Sequence, residues 1–256
     1  MQPFVWSFAY VYCPTRKDQR IIALLMTTFP GQEEYLLKGH NALETCVLLS
    51  ERGLLGTKRT MKQETVKEVL RRLNEAGVRY CIVGGLALAH HSVPRQTQDV
   101  DILVLPEDLQ LVQQSLQGYE LRGTPVVMVF QIGETRIDII PANLRAKREA
   151  VLAYIEDLLD GMTVRVVNLR DLILLKLWAI PDRTEKRIRM LDEADVVGLI
   201  EMNPQRISSE DIAYISRNLL GLAYTPADTN KYRAQVEWLN DVLNELGLAD
   251  LCYPLI

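Results

Sequence analysis

The chain reads as an α/β (α+β) protein, a small mixed sheet with flanking helices followed by a helical C-terminal part. Three observations predict this. A short apolar strand ends at paired glycines and gives way to helix formers, Arg79 to His90. Two later runs, Gln98–Leu105 and Thr135–Ile140, alternate polar and apolar residues at the period of a strand. Beyond Pro181, segments with helical periodicity are punctuated by Pro181, Pro204 and Pro226.

In order, the first 60 residues carry no legible motif and are read as an N-terminal extension. They open on an apolar stretch that lacks a basic leader, so no secretory signal is expected. Residues 61–180 form the expected core and 181–256 the helical region. Glu64 to Ala76 places Val66, Val69, Leu70 and Leu73 on one face, and Gly77 stops that helix. Arg79-Tyr80-Cys81-Ile82-Val83 suits a buried strand. The helix formers after Gly84-Gly85 start with free backbone N–H groups, which can face a phosphate. Ala146 to Leu159 is expected to be one helix and Gly161 to Val167 a last strand. Further helices are expected over Thr184–Met202, Ser208–Leu219 and Lys231–Leu246, with Ser208 and Asp211 at capping-box spacing.

Asp99 and Asp101 are two apart on a strand and so project from one side of it. Paired carboxylates repel unless a hard cation neutralises them, and magnesium is the natural candidate. Asp138, on the next alternating run, can bring a third carboxylate, a set that supports two-metal phosphoryl chemistry.

Gly-Gly, a helix of about a dozen residues, Asp-x-Asp and a later strand aspartate resemble the DNA polymerase β-like nucleotidyltransferase superfamily. Arg95-Gln96-Thr97-Gln98-Asp99-Val100-Asp101 is similar to the branch that includes AbiEii-type toxin nucleotidyltransferases. Val166 to Leu177 looks like that family's strand-to-helix segment, with Asn168 as N-cap and Lys176 directed to nucleotide phosphates. Asp192-Glu193-Ala194-Asp195 resembles its Asp-x-x-Asp, so the resemblance spans about Met61 to Asn203. It implies transfer of a nucleoside monophosphate from a nucleoside triphosphate, ATP among them, to an acceptor hydroxyl. Catalysis would rest on two Mg2+ ions held by Asp99, Asp101 and Asp138, with Gly84, Gly85, Arg95, Thr97 and Lys176 binding the nucleotide. The implied acceptors are tRNA, another RNA or a protein, with a cognate antitoxin as partner. The chain departs from the family at Leu86, where serine is common, at Ser92, where glycine is common, and at Leu191, in the basic cluster before Asp192.

Plainer readings stand beside these. Gly84-Gly85 also suits an ordinary turn, and Arg136 sits where it can simply pair with Asp138. Lys176 lies in an apolar helix from which it can snorkel to solvent, and Arg95 and Thr97 suit a plain loop. A noncatalytic nucleotide-binding or antitoxin-like protein with the same fold remains the alternative. A dinucleotide-binding oxidoreductase fits poorly, because the glycines lack G-x-G-x-x-G spacing.

His90 and His91 are adjacent on a helix, so they point about 100° apart and read as structural rather than as a metal pair. Cys13, Cys46, Cys81 and Cys252 form no metal or disulfide pattern, which suits a reducing cytoplasm. A net charge of −4 leaves no global nucleic-acid footprint. Local basic runs occur at Arg145, Lys147 and Arg148 and at Arg183, Lys186, Arg187 and Arg189. No apolar run has the length of a membrane span.

Overall fold

The computed structural model describes residues 61–93, 97, 99–123, 127–222 and 225–255. The expected N-terminal extension and Arg95 therefore lie outside the described residues. The first helix, α1 (Gln63–Glu75), buries Val66, Val69, Leu70 and Leu73. It is followed by Gly77 at φ 70°, the left-handed turn that its glycine permits.

Strand β1 (Tyr80–Ile82) is buried throughout and leads into α2 (Gly84–His90). That helix has 7 residues, shorter than the dozen expected. Strand β2 (Asp99–Val104) follows, and then α3 (Leu109–Ser115). Three strands come next, β3 (Glu120–Gly123), β4 (Met128–Ile132) and β5 (Thr135–Pro141). Of these only β5 stands out in the sequence.

The run expected as one helix, Ala146 to Leu159, is divided. Helix α4 covers Arg145–Leu152, and strand β6 (Ile155–Leu159) then pairs antiparallel with β7 (Met162–Val166). Asp160 and Gly161, at φ 49° and 79°, form the turn. Asp-Gly is the strong signal for a two-residue hairpin, and strand pairing overrides the helix propensity of Glu156, Leu158 and Leu159.

The seven strands form one mixed sheet in the order β3-β4-β5-β2-β1-β7-β6. β2 and β5 run parallel, as do β1 and β7, while the other neighbours are antiparallel. α1 packs on α3 and β7, and α4 lies against β1 and β2. The remainder is helical, as expected: α5 (Leu169–Ala179), α6 (Lys186–Met202), α7 (Ser209–Leu220) and α8 (Pro226–Glu245).

α5 packs on α4, α6 and α7, and α7 packs on α8, so the C-terminal helices share a core with the sheet. Helix α8 begins five residues before the expected Lys231. Pro226 occupies the first turn, where its missing N–H costs nothing, and Thr225 with Asp228 completes a capping box. Ser208 and Asp211 form the expected capping box on α7. Among the described residues, no helix is long and apolar enough to cross a membrane.

Candidate active site

The site lies at the centre of the sheet, where β1 ends and β2 begins. The parallel register of β2 and β5 sets Asp101 beside Asp138 and Asp99 beside Arg136. Alternation along β2 turns Asp99 and Asp101 to the same side. One carboxylate oxygen from each of Asp99, Asp101 and Asp138 lies within 4.8 Å of the other two. Asp138 is buried, and the other two are partly exposed.

Gly84 explains how β1 comes so close. Its φ is 64°, and a Cβ placed there would fall 1.9 Å from Asp101 Oδ2. A side chain and the carboxylate cannot share that space. Gly85 is equally tight, because its Cβ would fall 2.6 Å from Thr97 Cβ. Thr97 Oγ1 donates to Asp99 Oδ1 at 3.1 Å and to the Asp99 carbonyl at 3.0 Å, holding the first carboxylate from behind. The peptide N–H of Val83 donates to the Asp101 carbonyl at 2.9 Å, which joins the glycine turn to the carboxylate strand.

Arg136 does pair with Asp138. Its Nε and Nη2 donate to the two carboxylate oxygens at 2.6 and 2.8 Å. That bidentate bond raises the Arg136 guanidinium above its ordinary value, against partial burial, and the charges of Asp138, Asp99 and Asp101 add to it. Arg136 therefore offsets the Asp138 carboxylate. Three hard oxygen donors at this spacing fit a divalent cation such as magnesium.

Lys176 stands elsewhere. Its ammonium donates to Asp192 Oδ1 at 2.8 Å and to Asp195 Oδ2 at 2.7 Å, and both aspartates are buried. Arg183 closes the group by donating to Asp192 Oδ2 at 2.7 Å. The Lys176 charge thus already has two carboxylate partners. Asp192 and Asp195, three apart on one helix face and at buried positions, are the signal for this group. Burial raises Asp192, but Lys176 and Arg183 outweigh it and hold the carboxyl below its ordinary value.

Asn168 caps α5 as expected, accepting from the Asp171 N–H at 2.9 Å. Both histidines are structural. His90 Nδ1 meets Asp157, tying α2 to β6, and the Val167 carbonyl accepts from His91 Nε2 at 2.8 Å.

The structure is similar to a nucleotidyltransferase-like protein from Paracoccidioides brasiliensis. The TM-score is 0.51 at 16% identity, over 76% of this chain and 94% of the other. The fold is a nucleotidyltransferase fold. ANT(2'')-Ia, solved in complex with adenylyl-2''-tobramycin, is similar over 61% of this chain and 98% of its own, with a TM-score of 0.47 at 15% identity. No family model matches the chain, and no curated protein matches it in sequence. At these identities the likeness is one of fold.

Proposed function

We propose that this protein transfers a nucleoside monophosphate from a nucleoside triphosphate to an acceptor hydroxyl, with release of pyrophosphate, at the Asp99, Asp101 and Asp138 site. The observation that carries this is the convergence of three carboxylates from two parallel strands on one point, on a nucleotidyltransferase fold. Asp99 and Asp101 would hold two divalent cations, with Asp138 completing the set. When bound, these ions neutralise triphosphate charge and polarise the α-phosphorus.

The chain itself does the positioning. Thr97 fixes the Asp99 carboxylate, and Gly84 and Gly85 leave room for the Asp101 and Thr97 side chains, while the free N–H groups at the start of α2 would face the triphosphate. Asp138 holds the acceptor hydroxyl in line and accepts its proton on an oxygen that Arg136 releases. The freed guanidinium then faces phosphate oxygens, which it suits as well as it suits a carboxylate. Arg95, four residues before Asp99 in the sequence, would add a second cation. Lys176 keeps its two aspartates and fixes α5 against α6. Alignment and charge stabilisation supply most of the rate.

Within this class, the Arg95-x-Thr97-x-Asp99 run and the Lys176, Asp192, Asp195 group support the AbiEii-like branch. That branch brings a toxin role, a cognate antitoxin and an RNA or protein acceptor.

A second reading has one observation in its favour. Arg136 already neutralises Asp138, which suits a protein that binds nucleotide but transfers nothing. Incubation with each α-phosphate-labelled triphosphate, magnesium and total cellular RNA and protein separates the two. Magnesium-dependent label on an acceptor, lost in Asp99→Asn/Asp101→Asn, is expected. Tight nucleotide binding with no labelled product would favour the noncatalytic reading.

A further inference from the structure

A cavity of about 340 Å³ opens between the start of α5, the start of β6 and the first turn of α7. It lies at the same end of the sheet as the carboxylates, since β7 runs parallel to β1 and the Val167 N–H donates to the Ile82 carbonyl at 3.0 Å. β7 and β6 are two and three strands from β2, a span of about 10–15 Å at ordinary strand spacing. It is a separate space from the carboxylate site.

Its floor is apolar, formed by Ile173, Ile207 and Ile215, and Ala153 stands exposed at its edge. Two arginines line it, and they differ. Arg170 stacks on the Tyr214 ring at 3.8 Å and pairs with the buried Asp171 at 3.1 Å, so its charge is met. Arg206 has no carboxylate partner among the described residues. One donor reaches Asn203 Oδ1 at 2.9 Å, and the other donors of its guanidinium fork have no partner among the described residues.

The nearest acid on the lining, Asp211, is committed to Ser208, whose N–H and hydroxyl donate to it at 2.9 and 2.7 Å. The N-terminus of the 11-residue α5 adds a partial positive charge on the same wall. A lining of Ile155, Leu169, Ile173, Ile207 and Ile215 suits a ring or short hydrocarbon. An arginine with no carboxylate partner suits an anion.

We infer that this cavity binds an amphipathic anion, a small molecule with an apolar ring or chain and one carboxylate, phosphate or sulfonate seated on Arg206. The inference stands on the cavity and does not depend on nucleotidyl transfer.

The probe is 8-anilinonaphthalene-1-sulfonate, read by fluorescence titration of the full chain. Its neutral counterpart N-phenyl-1-naphthylamine is titrated in parallel. One saturable site is expected. Arg206→Gln should weaken the sulfonate roughly tenfold, the scale of one lost charged hydrogen bond, and leave the neutral dye unchanged. Ala153→Trp, at an exposed position, should abolish the binding of both dyes with the melting temperature intact. Asp101→Asn should bind as the parent does. The inference is overturned if the parent shows no saturable site or if Ala153→Trp binds as the parent does. It is overturned equally if Arg206→Gln fails to weaken the sulfonate selectively.

Discussion

Gly84→Ala tests whether the geometry of the carboxylate site is what fixes that glycine. The substitution carries two separable costs. A φ of 64° is left-handed, which costs a residue with a Cβ about 1–2 kcal/mol. The new Cβ would also stand 1.9 Å from Asp101 Oδ2, a separation no pair of atoms tolerates, so the carboxylate must rotate out of the triad. The two costs divide in a double-mutant cycle. In an Asp101→Ala background the carboxylate is gone, and Gly84→Ala should lower the melting temperature by only the backbone cost, about 2–8 °C for a chain of this size. In the parent background the fall should be larger. Mn2+ titrated by electron paramagnetic resonance should also bind more weakly, because Asp101 can no longer reach the cation. Circular dichroism melts and the Mn2+ isotherm are the measurements. An equal fall in the two backgrounds would refute the close approach of Gly84 and Asp101, as would Mn2+ binding that Gly84→Ala leaves unchanged.

Other perturbations follow from the same geometry. Arg136→Gln removes the cation that occupies Asp138, so Mn2+ alone should bind the triad more tightly, and weaker binding would show that Arg136 instead holds the site together. Asp192→Asn leaves Lys176 short of one buried partner and should cost about 3–5 kcal/mol in urea unfolding. Because the Asp192 carboxyl sits below its ordinary value of 3.8, its contribution is present above that pH and is lost as the pH falls through the depressed folded value. The parent should therefore lose stability more steeply than Asp192→Asn in melts taken below pH 3.8. Thr225→Ala breaks the capping box of α8 and should cost about 1 kcal/mol, measured by chemical denaturation.

The site was legible where a local rule has one reading. Two aspartates at strand spacing must share a side, and glycines at a strand end mark a close approach, so Gly84, Asp99 and Asp101 were found without knowing their neighbours. Asp138 was found because its strand alternates as cleanly as β2. What the sequence could not convey was pairing. Arg136 could have faced solvent, and only the register shows it on Asp138. The bonds of Lys176 to Asp192 and Asp195 are equally invisible in the sequence, because those partners lie on the next helix. The hairpin of β6 and β7 was hidden by residues that favour a helix in isolation, although Asp160-Gly161 signalled it. Pro226 reads in the sequence as a breaker, but it occupies the first turn of α8, so the helix starts ahead of Lys231. β3 and β4 lack the alternation that marks β2 and β5; β4 is a strand because β5 offers it an edge, and β3 because β4 does.

The parallel ladder of β2 and β5 joins stretches of chain far apart in sequence, with Asp99 matched to Arg136 and Asp101 to Asp138. Arg136 balances charge there but rides on the same strand as Asp138, so their bond does not span the ladder. Anything held by all three carboxylates does span it and acts as a rivet between two separately built parts of the sheet. Occupancy would then be felt as slowed opening of that one seam, with amide hydrogens of β2 and β5 protected more than those of the β6 and β7 hairpin.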